Sequence, residues 1–317
     1  MPLGEFDLIA RYFSRPSRRA DVLLGVGDDA ALLAVPPGQA LVAATDTLVE
    51  DRHFPRGAPP DSIGHQALAV NLSDLAAMGA DPAWALLSLS LPEANEPWLE
   101  AFATGLYRLA DRSGIELVGG DTVRGPLVVT IAVLGCVEPS LALRRGGARA
   151  GDRLYVSGFP GEAAAGLEVL RREPQASDDD VLVRRYRYAE PRLDLGRALR
   201  GRATAAMDVS DGLLGDLEKL CAASGVSAQL HLDRLPVSAT LARRFDRAAC
   251  ERYILHGGDD YELLFTLPPD AAPPAVRDLD SLCAVTCIGE IAAGSGVACR
   301  RGAAVAQVPS GGYDHFG

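Results

Sequence analysis

Residues 127–137 read LVVTIAVLGCV, the longest largely apolar run of the chain. It is too short to span a bilayer and too rich in β-branched residues for a helix, so it reads as a buried strand. Working back from it, the pattern predicts a strand near 115–119, a helix near 95–113 and a strand near 83–91. Before these stands a helix near 62–79, whose Leu68, Leu72 and Leu75 recur at helical spacing with Asp61 placed as its cap. Strands near 22–26 and 40–46 and a helix-like opening, GEFDLIARYF, complete this half.

Forward of the strand, EPSLALRRGGARAGD (138–152) is rich in Gly and Arg and interrupts the alternation. It marks a boundary between a first domain, 1–137, and a second, 138–317. The second restarts with the strand RLYVSG and the helix GEAAAGLEVLRR, followed by EPQASDDD as a surface loop. Then come a helix near 190–200, a strand ending at Asp208, a helix near 212–224, strands near 228–232, 261–267 and 283–290, and a short tail. Mixed order of this kind predicts an α/β or α+β fold in two domains.

The chain has 317 residues, 48% hydrophobic and 23% charged, enough for a sizeable core and about two domains. The net charge of −11 opposes binding to nucleic acid or an anionic membrane. The opening MPLGEFDLIARYF lacks a basic start, an apolar stretch and a cleavage site, so the expected location is the cytoplasm. Six cysteines stand singly, as in a reducing compartment. Lys219 is the only lysine; it is read as lying on a helix, far from any Gly-rich loop. Trp84 and Trp98 read as core or helix anchors.

Acidic residues recur at strand ends: Asp28 and Asp29 in GVGDDAALL, Asp46 in VAATDTL, Asp121 in LVGGDT, Asp208 and Asp211 in MDVSDG, and Asp259 and Asp260 in HGGDDYEL. Asp74 joins them from a helix. Each alone is an ordinary turn or cap residue. Together, at the loops of such scaffolds, they suggest a functional site. Carboxylates about 5 Å apart repel by roughly 3 kcal/mol at an effective dielectric near 20, so a cluster needs cations. Oxygen ligands without Cys or His select hard ions, Mg²⁺ before Zn²⁺, and Mg²⁺ often shares its ligands with phosphates.

The usual phosphate cradle GxxxxGK[ST] is absent, as are GxGxxG after a strand, a GxSxG elbow and a Cys–His pairing. Phosphate charge would then be met by metal, by Arg145, and by backbone N–H groups at Gly119–Gly120 and at the helix beginning near Gly212. Ser210, between two aspartates, suits a hydroxyl donating to phosphate.

Taken in order, GEFDLIARYF, GVGDDAALL, TDTLVEDRHF, NLSDLAAMGADP, GGDTVRGP, RGGARAGD, MDVSDGLLGDL, GGDDYEL and GYDHF resemble the thiamine-monophosphate kinases, in the superfamily of aminoimidazole ribonucleotide synthetase. NLSDLAAMGADP and GYDHF are the specific segments. The resemblance implies transfer of the γ-phosphoryl group of ATP to thiamine monophosphate. The acceptor is already an anion, so positioning and charge neutralisation replace a general base. It also implies Mg²⁺ held by Asp29, Thr45, Asp46, Asp74, Asp121, Asp208 and Asp211, with the backbone carbonyl of Ala44. ATP would meet Gly120, Asp121, Arg145 and Ser210, and thiamine would meet His53, Asp259 and Tyr313. Where the family usually has Glu in its GGEDYE loop, this chain has Asp259, one methylene shorter.

The fold implied pairs two first domains about a two-fold axis into a shared barrel, a homodimer burying the edges of the LVVTIAVLG strand. Within the superfamily, selenophosphate synthetase resembles an enzyme with a reactive N-terminal Cys or selenocysteine, and the hydrogenase-maturation dehydratase one ending in a catalytic Cys; neither pattern is present. An aminoimidazole ribonucleotide synthetase-like enzyme and a non-catalytic Mg²⁺-nucleotide module are the remaining alternatives.

Overall fold

The computed structural model describes residues 4–270, 278–309 and 311–312. The chain divides into two compact units, residues 1–75 with 80–140 and residues 76–79 with 141–317. Mixed helix and sheet in two units is the fold class expected from the alternation of periods.

The first unit opens with α1 (Glu5–Leu8), which runs into a π-helical turn (Ile9–Phe13), and the short hairpin β1 (Val22–Leu24) and β2 (Leu32–Leu33). There follow β3 (Ala40–Val49), α2 (Pro60–Ala77), β4 (Asp81–Leu91), α3 (Glu96–Ser113), β5 (Glu116–Arg124) and β6 (Val128–Val137). The sheet runs β3–β6–β4–β5. The LVVTIAVLG segment is therefore an interior strand, antiparallel to both β3 and β4. The expectation that its edges would be covered by a partner is corrected: among the described residues the free edges belong to β3 and β5. The physical reason is that strand order is set by tertiary contact, here the pairing of β6 with β3 on one side and β4 on the other, which the composition of the segment does not specify.

Burial alternates along β6, with Val129, Ile131 and Val133 inside and Thr130, Ala132 and Leu134 on the opposite, open face. Thr47 and Thr130 share a hydroxyl hydrogen bond across that open face at 2.9 Å. Between β4 and β5 the parallel register steps from Ala85–Leu117 to Leu86–Gly119, so Val118 is an extra, bulged residue. Its side chain packs with Ala83, Trp84 and Cys136.

Helix α2 begins at Pro60, so Asp61 lies inside the first turn and not at the cap position expected of it. Proline starts a helix readily because it needs no N–H there. Asp61 accepts instead from Arg108 of α3 at 3.2 Å, and at Gly105 a Cβ would come within 1.8 Å of the Asp61 carbonyl oxygen, which requires glycine. Trp84 is fully buried with its Nε1 donating to Asp21, and Trp98 stacks on Phe102.

The second unit contains β7 (Arg153–Ser157), α4 (Glu162–Arg172), α5 (Val181–Arg187), α6 (Leu193–Leu199), β8 (Ala205–Val209), α7 (Leu213–Ser224) and β9 (Ser227–His231). It continues with α8 (Ala239–Arg244), α9 (Arg247–His256), β10 (Glu262–Leu267), β11 (Val285–Ala292), β12 (Gly296–Arg301) and β13 (Ala304–Val305). One sheet, β13–β12–β9–β11–β7–β10–β8, carries it. Its core joins Leu154 and Val156 of β7 to Met207 of β8, Leu213 and Leu217 of α7, and Leu264 of β10. The end of β8 and the start of β10 lie side by side at one edge, Val209 opposite Glu262.

Candidate functional site

In the first unit the register fixes where the acidic residues stand. Asp46 pairs with Ile131, Ile131 with Leu87, and Leu87 with Gly120, one row across the sheet. Asp46 and Gly120 are thus three strand spacings apart, about 14 Å. Asp121, paired with Ser88, lies one residue on and on the open face with Thr47 and Thr130. At Gly120 (φ 148°) a Cβ would come within 1.8 Å of the Leu87 carbonyl oxygen, so only glycine fits.

Asn71 of α2, fully buried, accepts the backbone N–H of Asp46 at 2.9 Å and donates to the Ala67 carbonyl. It ties the helix to β3 at the residue predicted as a ligand, and Asp74 follows one turn later. Thr45 donates its hydroxyl to the Ile131 carbonyl at 3.1 Å, while Ala44 pairs with Val133. Asp29 is exposed beyond β1, its N–H donating to Asp28. His53 is half-buried, and its Nδ1 accepts the Val49 N–H at 3.0 Å, which places the proton of the neutral ring on Nε2.

In the second unit the SDG and GGDDY segments are fastened to each other. The N–H groups of Ser210 and Asp211 both donate to Oδ2 of Asp216, at 3.0 Å each, and Asp216 is completely buried. Its other oxygen accepts from Lys219 at 2.8 Å, and Lys219 also reaches Asp211 at 2.6 Å. The reading of Lys219 as remote from the Gly-containing loops is thereby corrected: two turns of α7 bring it back over the SDG turn. Burial raises the pKa of Asp216 and Lys219 opposes that rise.

Asp259 donates its N–H to the Ser210 carbonyl at 3.0 Å, and Tyr261 does the same to Val209 at 2.9 Å. The Tyr261 hydroxyl donates to Asp259 Oδ1 at 3.1 Å. Removal from water pushes the Asp259 pKa up to about 6, against the Tyr261 hydrogen bond, with the negative charge of Asp211 adding to the rise. Asp208 is buried on β8 opposite Leu263. Arg145 is exposed; its carbonyl accepts from the Ser224 hydroxyl, which in turn accepts the N–H groups of Gly147 and Ala148. Among the described residues its guanidinium has no hydrogen-bonding or ionic partner. Tyr313 lies outside the described residues.

Ser210, Asp211 and Asp259 are thus brought together, as are Asp46 and the α2 turn carrying Asp74. Asp216, Lys219, Asn71 and Asp260 are supporting residues that the sequence reading did not assign. For Asp216 and Lys219 the available signal was their i, i+3 spacing on a helix. Among the described residues no group of three or more His, Cys, Asp or Glu is arranged to hold a metal ion. The donors are nonetheless all oxygens, which fits a hard cation of the Mg²⁺ kind, bound by one or two carboxylates with water and substrate phosphate.

Residues 27–137 match the AIR synthase related protein, N-terminal domain, and residues 149–301 its C-terminal domain. Thiamine-monophosphate kinase of Salmonella typhimurium (strain LT2) is 46% identical over 324 residues, spanning 100% of this chain and 99% of that protein. The chain belongs to the thiamine-monophosphate kinase family. Among solved members of the family, the crystal structure of thiamine-monophosphate kinase from Stenotrophomonas maltophilia K279a superposes with a TM-score of 0.88 at 46% identity, covering 94% of this chain and 97% of that one. AaThiL complexed with AMPPCP and TMP gives a TM-score of 0.79 at 33% identity, covering 89% of each chain.

Proposed function

We propose that this chain transfers the γ-phosphoryl group of ATP to the phosphate of thiamine monophosphate, releasing thiamine diphosphate and ADP. The observation that carries this reading is 46% identity along the whole chain to a thiamine-monophosphate kinase. A family member complexed with AMPPCP and TMP supports it.

In this reading Gly120, Asp121, Arg145 and Ser210 contact ATP. The open guanidinium of Arg145 meets phosphate charge, and the Gly120 backbone lets a phosphate approach closely. His53, Asp259 and Tyr313 contact the thiamine moiety, Asp259 as the counter-charge of its cationic thiazolium. Asp29, the Ala44 carbonyl, Thr45, Asp46, Asp74, Asp121, Asp208 and Asp211 would hold Mg²⁺, which when bound supplies charge neutralisation at the transferring phosphoryl group. No side chain need act as a base, since the acceptor oxygen is already anionic; the chain orients the two phosphates and excludes water.

The free edges of β3 and β5, and an open sheet face bearing exposed Leu41, Leu86 and Val123, support a homodimer. Among the described residues no helix is long and apolar enough to cross a membrane. Six unpaired cysteines support a reducing cytoplasm. The deciding experiment is a coupled assay of ADP release with thiamine monophosphate, thiamine and a ribonucleotide offered separately. ADP release with the first alone is expected; release with a ribonucleotide instead would overturn the reading.

A further inference from the structure

Among the described residues three non-glycine residues have positive φ, and two of them, Asp259 (67°) and Tyr261 (52°), flank a single residue, Asp260. Left-handed backbone brings Cβ against a carbonyl oxygen and is especially disfavoured for a bulky aromatic. Two such residues within three positions persist only where the surroundings over-determine them.

Asp260 supplies that constraint. Its carboxylate accepts the N–H of Gly161 at 2.7 Å and that of Ala163 at 3.3 Å. These are the first donors of α4, whose own N-cap residue, Gly161, brings no side chain. A carboxylate from a distant loop therefore does for α4 what an N-cap Asp would do locally, and the helix dipole favours its charge. On either side the backbone is pinned by Asp259 to Ser210 and by Tyr261 to Val209.

The next residue closes the rear of the loop. Glu262 is buried, accepting from Arg192 Nε at 2.6 Å and from Ser157 at 2.5 Å. The space bounded by Glu162, Arg185, Asp260 and Glu262 amounts to about 10 Å³, too little for a substrate group. Asp260 thus faces a helix end and not a ligand.

We propose that Asp260 is the positioning residue of the thiamine phosphate site: by capping α4 it holds Asp259 in the one backbone conformation that presents its carboxylate to the substrate. The proposal rests on the assignment of Asp259 given above. Its effect is one-sided. Ser210 and Asp211 remain held by Asp216 whether or not Asp260 is present, so the thiamine contact should fail before the nucleotide contact does.

The test uses the full chain with Asp260→Ala and Asp260→Asn, the latter keeping one oxygen for the Gly161 N–H. Asp260→Ala should raise KM for thiamine monophosphate about tenfold or more while KM for ATP moves less than about threefold, and Asp260→Asn should fall between it and wild type. Hydrogen exchange should quicken together in peptides covering residues 158–165 and 257–262, with residues 205–209 unchanged. A lower melting temperature with both KM values unchanged, or faster exchange in 158–165 alone, overturns the proposal and leaves a helix cap only. Should the Ala variant not fold, the Asn variant decides on the same comparisons. Absence of thiamine monophosphate turnover by the wild type refutes the assigned reaction instead, and the exchange experiment still decides whether the clamp exists, so the two failures are distinct.

Discussion

Lys219 Nζ lies 2.6 Å from Asp211 Oδ2 and 2.8 Å from the fully buried Asp216, so the only lysine of the chain is spent on one aspartate of the SDG turn and one of the helix that follows it. The buried carboxylate fixes two backbone N–H groups, and the lysine makes its charge tolerable. Loop geometry and charge balance at this turn are therefore one problem with one solution.

Lys219→Met should lower stability by about 1–2 kcal/mol, less than for a fully buried pair because the lysine is 44% exposed. That is a few degrees in melting temperature. The sign with pH follows from Asp216, whose pKa burial has raised. The loss appears where Asp216 must be ionised and shrinks as falling pH protonates it. Melting curves taken from pH 8 downward check this; a loss that does not shrink at any acid pH where both proteins remain folded would contradict it.

Asn71→Ala and Asp46→Asn should separate stability from turnover. The first leaves the part-buried Asp46 N–H without its acceptor and opens a void where the fully buried Asn71 side chain stood, and should cost about 1–3 kcal/mol. The second keeps the backbone bond to Asn71 while removing a charge from the ligand set, so activity should fall more than about a hundredfold with the melting temperature unchanged or raised. Asp121→Asn, on the open face, should behave like Asp46→Asn. Calorimetry and steady-state rates on the three variants provide the check.

In the proposed reading Asp259, with a pKa pushed up to about 6, ties substrate recognition to pH. Ionised, it attracts the thiazolium cation; protonated, it does not, so KM for thiamine monophosphate should rise as pH falls through about 6. Its raised pKa also means that ionisation costs folding stability as pH climbs from about 4 through 6. Asp259→Asn should flatten both profiles, which controls for the titration of the substrate phosphate. The Tyr261 hydroxyl and Asp211 are the groups acting on Asp259, so Tyr261→Phe should move the inflection upward.

ATP binding should require Mg²⁺, because the carboxylates proposed as metal ligands would repel a bare triphosphate. Titration calorimetry in excess EDTA should show no heat of binding, and restoring Mg²⁺ should recover it. Comparable affinity without the metal would remove the carboxylates from the nucleotide site.

Long elements were legible because their periods are sustained: α2, α3, β4 and β6 each run ten residues or more. Three helices, α5, α8 and α9, carry no sustained period in the sequence, the first two having only seven and six residues. Each nevertheless announces its start with a capping side chain, Asp180, Ser238 and Asp246, a signal stronger than periodicity at that length. Nothing in the sequence pattern separates the strands β12 and β13 from a tail, or tells that β6 is paired on both edges, since pairing order is set by tertiary contact and not by strand composition. At the site, Gly- and Asp-bearing turns could be read directly. Asn71, Asp216 and Asp260 could not, because each acts on backbone donors brought to it by folding.

The bulge at Val118 makes the number of residues between Leu117 and Gly119 matter more than their identity. With one residue removed, Asp121 would slide into the place of Gly120, where the Leu87 carbonyl leaves no room for a Cβ. Every side chain beyond would change faces, carrying Val123 and its neighbours the wrong way round. This short run should accept an apolar replacement of similar size at the buried Val118 yet reject any single deletion, an arithmetic constraint on chain length placed directly before a residue assigned to chemistry.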